Sequence, residues 1–121
     1  MNISIPGIDA VKGLDLYDDD FDIYLMVLRS YAENTPAVLD KLRQVTAESL
    51  PGYATTVHGI KGTSANIGAE DLRKTALQQE GLAKAGDLTG VLANNEAFLK
   101  KADTLIVDIN RWLKEFDHEG K

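Results

Sequence analysis

The chain has 121 residues, 44% of them hydrophobic and 26% charged, with a net charge of −6 and no cysteine. This fits one globular domain spanning residues 1–121, and it excludes a disulfide framework, a thiol nucleophile and any cysteine-ligated metal. The acidic balance argues against nucleic acid and anionic membrane surfaces as partners.

The apolar pattern is helical from end to end, and no strand is needed. Ile8, Val11 and Leu14 follow Pro6 and Gly7 and predict a short lead-in helix over about residues 7–16. Asp18, Asp19 and Asp20 read as a solvated helix start, favoured by the positive end of the helix dipole. Phe21, Tyr24, Leu25, Leu28, Ala32, Leu39 and Leu42 predict a helix over 20–46. Pro36 either kinks it or begins a second helix; the stripe resumes in phase at Leu39, which favours the kink.

Pro51 suits a first helical turn. The helix expected at 51–67 has Leu50, Tyr53, Ala54, Val57, Ile60, Ser64 and Ile67 as its inner stripe, stopped by Gly68. A further helix over 69–85 carries Leu72, Ala76, Gln79 and Ala83 on one side and ends at Gly86. Asp87 is a suitable N-cap for the last helix, 88–116. Its stripe runs from Val91 and Leu92 through Asn95, Phe98, Leu99, Ala102, Leu105, Ile106, Ile109 and Leu113 to Phe116, with a frayed tail from Asp117. Short connections make such helices antiparallel neighbours, so the expected fold is all-α: an up-down-up-down four-helix bundle with a short N-terminal helix.

The chemistry concentrates in His58-Gly59-Ile60-Lys61-Gly62. At 100° per residue, His58 points roughly 130° away from the centre of the inner stripe. It therefore faces water or the bundle's edge, among the small residues Thr55, Gly62 and Ala65, with Lys61 one turn on. Gly59 and Gly62 each cost about 1 kcal/mol relative to alanine in a helix. Such breaches of local rules gather at functional sites, and a missing side chain at Gly62 lets a bulky group approach the ring. Taken singly, these residues have plainer readings: a surface histidine, a solvated lysine, glycines at helix contacts. A neutral imidazole has a free lone pair near pH 7, and a lysine one turn away can stabilise an anionic group transferred to it. His118 reads as a solvated tail residue. With no phosphate-cradling glycine loop and no Walker lysine motif, an autonomous ATP-dependent kinase is not expected.

The stretch from His58 to Gly62, followed after five residues by Gly68, resembles the signature of histidine phosphotransfer (HPt) domains. The flanks are similar too. Ile5-Pro6-Gly7-Ile8-Asp9 resembles the lead-in of HPt modules at the C-terminus of hybrid sensor kinases. Thr35-Pro36-Ala37-Val38-Leu39 resembles the proline-containing second helix of that group, and residues 69–87 the helix after the active-site helix. The resemblance implies that His58 accepts a phosphoryl group, Lys61 steadies it and Gly62 gives a partner access. It also implies that Glu80 or, alternatively, Gln79 reaches the histidine ring, with Glu80 the expected one. Gly59 stands where a larger residue is common, and Gln79 where an apolar one is.

The resemblance further implies a phosphorelay carrier. Its partners would be receiver domains of response regulators or hybrid kinases, docked on the clearing around His58 and on neighbouring apolar residues. The domain would bind no cofactor, and Mg²⁺ would sit on the receiver. No segment predicts membrane insertion or secretion, so a cytoplasmic location is expected. Two alternatives stand beside this reading: a helical receiver-binding module without transfer activity, and an enzyme using His58 as a general base.

Overall fold

The computed structural model describes residues 3–119. Among them five helices follow in order: α1 (Ala10–Asp15), α2 (Phe21–Asp40), α3 (Leu50–Ala65), α4 (Glu70–Lys84) and α5 (Leu88–Glu119). The last four form the bundle, and α1 packs against it beside α2. Cross-links give the directions. Tyr24 reaches Ile67 and Tyr31 reaches Ser64, so α2 and α3 are antiparallel. Arg29 near the start of α2 pairs with Asp117 at the end of α5, whereas Asn95 near the start of α5 meets the Leu42 carbonyl just past α2. Tyr24, Leu28, Val57, Phe98 and Ile109 are fully buried at the centre of the core. No helix among the described residues is long and apolar enough to cross a membrane.

The inner stripe expected for α3 is buried throughout, although Ile67 lies just beyond the helix end. The helix stops through a left-handed Gly68 (φ +79°), with the Ala69 amide donating back to the Ser64 carbonyl at 2.9 Å. Two tyrosines take the carbonyls that the ending leaves free: Tyr17 donates to Asn66 at 2.8 Å and Tyr24 to Ile67 at 2.7 Å. The Asp9 amide then donates to the Gly68 carbonyl at 2.9 Å, tying the lead-in to this turn.

Several boundaries differ from expectation. The lead-in helix starts at Ala10 because Gly7 is left-handed (φ +85°) and Asp9 serves as N-cap. Val11, expected on its inner side, is exposed. Asp20 caps α2 by accepting from the Ile23 amide, while Asp18 and Asp19 occupy left-handed positions in the preceding turn. Pro36 lies within α2, which runs through it. That helix ends at Asp40, not at 46: the Lys41 and Leu42 amides donate three residues back, to Val38 and Leu39, and the Leu42 carbonyl beyond them accepts from Asn95. Leu92 is exposed: it lies on the flank of α5, at the rim of a groove shared with Arg43 and Glu96. The tail does not fray at Asp117, since the bidentate pair with Arg29 holds that turn in the helix.

Gly68 and Gly86 separate two costs of adding a side chain. Both have positive φ, but a Cβ on Gly68 would lie 2.3 Å from the Asp9 carbonyl oxygen, whereas one on Gly86 meets nothing within 4 Å. Gly86→Ala should therefore lower unfolding free energy by about 1–2 kcal/mol, the left-handed cost alone. Gly68→Ala should lower it well beyond that, because backbone must move. Chemical denaturation of both variants checks the order.

Candidate functional site

α3 sets His58 at the rim of the bundle, with 63% of its side chain exposed. Tyr53, Val57 and Ile60 point inward and hold the helix from behind. Thr55, Gly59 and Gly62 are exposed around the ring. A Cβ built on Gly59 or Gly62 would meet nothing within 4 Å. The plainer reading, that these glycines let two helices touch, is thereby removed: no packing among the described residues requires them.

The ring's partner comes from α4. Glu80 Oε2 lies 2.7 Å from His58 Nδ1, and Glu80 Oε1 accepts from Lys61 Nζ at 2.7 Å. Lys84 Nζ lies 3.0 Å from Oε2, the oxygen that meets the ring. The carboxylate is almost sealed from water, at 3% exposure. Such an anion is tolerated only when its charge and lone pairs are matched. Hydrogen bonds from Lys61 and then Lys84 outweigh the desolvation, and with the smaller contribution of His58 they pull the Glu80 carboxyl down to about 2.

This fixes the ring chemically. A carboxylate only accepts, so the bond to Nδ1 requires the proton on that nitrogen. In the neutral ring the lone pair then belongs to Nε2, which has no hydrogen-bond partner among the described residues. The site is thus an outward nitrogen nucleophile, a buried anion behind it and two cations beside it.

Of the two residues considered for reaching the ring, Glu80 is the one beside it, and Gln79 points into the core. Lys61 is less exposed than a helical wheel predicts, at 25%, because its ammonium turns down to Glu80. Sequence reasoning overlooked Lys84, although it stands four residues after Glu80 at the spacing of an intrahelical ion pair. His118 is exposed in the last turn of α5. Beside His58 a groove of about 510 Å³ opens between α2 and α3, lined in part by Val27, Tyr31, Val38, Gly59 and Thr63.

A family model for the Hpt domain matches residues 26–112, well over half of the chain and the whole of this site. The chain belongs to the Hpt domain family. Comparison with curated proteins and with solved structures gave no match. Hpt domains carry out histidine phosphotransfer in phosphorelays and work with receiver domains, so this Hpt domain is a phosphotransfer module of that kind.

The acid limb of stability should report Glu80. Its folded value lies below the ordinary 4.5, so its contribution is complete above about pH 4.5 and is lost as pH falls toward 2. The denaturation midpoint of the wild type should drop more steeply between pH 5 and pH 3 than that of Glu80→Gln. Parallel curves would assign the acid sensitivity to other carboxylates.

Proposed function

We propose that His58 is the phosphoryl carrier of this Hpt domain, taking the group from a receiver's aspartyl phosphate and returning it to another receiver. The observation that carries this reading is the Glu80 contact, which leaves the Nε2 lone pair outward on an exposed ring. Nε2 attacks phosphorus in line. A P–N bond forms, the P–O bond to the receiver's aspartate breaks, and aspartate leaves as a carboxylate. The ring gains positive charge while Nδ1 keeps its proton, and the Glu80 carboxylate stands against that charge. Reversal of the same steps delivers the group onward.

Lys61 and Lys84 are the cations at hand for the transferred oxygens. Both are also engaged by Glu80, so they remain near the ring when no phosphate is present. Mg²⁺ would be held by the receiver, where it neutralises the transferring group. The clearing at Gly62 gives the receiver's acidic site room to reach Nε2, and the neighbouring groove between α2 and α3 supplies apolar contact. A modest, transient interface of this sort suits a carrier that must release its partner.

Incubation with a panel of phosphorylated receivers, followed by mapping of the modified residue, tests the reading. The expected product is an acid-labile, alkali-stable phosphate on His58, absent in His58→Gln, with helicity unchanged. Label on His118, or on the His58→Gln variant, would remove His58 from the role. Lys61→Ala should slow transfer while the bundle stays folded.

Gly62 gives an independent check, because stability and function should move in opposite directions. Gly62→Ala should raise unfolding free energy by up to about 1 kcal/mol, since helix propensity improves and nothing is displaced. Gly62→Gln should keep the fold and slow transfer strongly by filling the approach to the ring. Equal transfer rates in Gly62→Gln and wild type would mean that the clearing has no part in docking.

A further inference from the structure

Gln79 is an expensive residue for the core of a helical bundle. It is fully buried on the inner face of α4, where an apolar side chain would pack without polar demands. Its amide nitrogen donates to the Tyr53 hydroxyl at 2.9 Å and to the Val91 carbonyl at 3.2 Å. The Tyr53 hydroxyl donates to Asn95 Oδ1 at 2.7 Å, and Asn95 Nδ2 donates to the Leu42 carbonyl at 2.9 Å. One polar chain thus joins α4, α3, α5 and the turn after α2. It is incomplete: Gln79 Oε1 is buried with no partner among the described residues. An unmet buried acceptor costs about 1–3 kcal/mol, so stability alone does not account for the arrangement.

What such a chain supplies is direction. Apolar contacts tolerate sliding and rotation of one helix on another, whereas hydrogen bonds fail over a few tenths of an ångström and a few tens of degrees. Gln79 adjoins Glu80 in sequence, and Tyr53 stands on the same helix as His58. The α3 and α4 helices are therefore joined at two depths, by Gln79 to Tyr53 in the core and by Glu80 to His58 and Lys61 at the rim. Two attachments at different depths fix the rotation of α4 about its own axis. A carboxylate roughly 6 Å from a helix axis moves about 2 Å when the helix turns by about 20°, a displacement that follows from helix dimensions. That is enough to break the 2.7 Å contact with the ring.

We propose that Gln79 is a positioning residue: the chain from Gln79 through Tyr53 to Asn95 sets the rotation of α4 at which Glu80 meets His58 Nδ1. The role in transfer rests on His58 being the carrier; the role in placing Glu80 does not. Gln79 never touches the reacting atoms and acts only through its neighbour. The buried polar chain trades core stability for a defined geometry at the rim, a known use of buried polar networks.

The test uses Gln79→Met, which keeps length and flexibility and removes the unmet acceptor, and Tyr53→Phe, which removes the linking oxygen. The readouts are denaturation, ¹⁵N NMR of the His58 ring tautomer, and phosphoryl transfer from a phosphorylated receiver. Gln79→Met should be as stable as the wild type or more so. Both variants should lose the preference for the proton on Nδ1 and slow transfer by about 10-fold, the scale for losing a residue that orients a reactive group. A ring signature unchanged in both variants would overturn the proposal and leave the chain a purely structural feature. A changed ring signature together with no phosphate on wild-type His58 would keep Gln79 as the positioning residue for Glu80 and sink the carrier assignment instead.

Discussion

One buried carboxylate organises the reactive end of this bundle. Glu80 is nearly sealed from water, yet it stays ionised because Lys61, Lys84 and His58 converge on its two oxygens. Removing any donor leaves a charge that the interior tolerates poorly. The same convergence settles which ring nitrogen is protonated and keeps two ammonium groups close to it. Much of the surrounding architecture can be understood as the means of bringing position 80 against position 58. A tight turn at Gly68 returns the chain from α3 to α4, Tyr17 and Tyr24 close off the carbonyls at that turn, and a polar chain holds α4 from within.

The helices themselves were legible because their apolar spacing is regular and their ends carry strong local signals. Pro51, Gly68, Gly86 and Asp87 act within a few residues of where they stand, so their effects follow from sequence. The exposure of His58 was legible for a similar reason: one helix, one inner stripe, one angle. What escaped was set by contacts distant in sequence. The Leu42 carbonyl just past α2 is captured by Asn95, 53 residues on. Asp117 is held by Arg29 from the opposite end of the chain. A helical wheel gives the angle of Lys61 but not the anion that draws it inward.

The ambiguity between Gln79 and Glu80 has the same origin. Adjacent residues on a helix diverge by about 100°, and which of them meets the neighbouring helix depends on how the whole element is turned. Nothing in the local sequence of α4 states that rotation. A polar residue within an apolar stripe was the available signal, and it marks a buried hydrogen-bonding position as readily as a surface one. Lys84 was within reach of a simpler argument, since it stands one helical turn from Glu80 with opposite charge.

The helix that bears the histidine is intrinsically weak. Gly52, Gly59 and Gly62, together with Thr55, Thr56, Val57 and Thr63, give α3 many residues with low helix propensity. As an isolated peptide it would be a poor helix, and its order is borrowed from the inner stripe packed on the rest of the bundle. This surface is therefore ordered only where the rest of the bundle packs behind it. A chain whose bundle is opened would carry the imidazole without its Glu80 contact or its flanking ammonium groups, so the arrangement around His58 exists only in the packed fold.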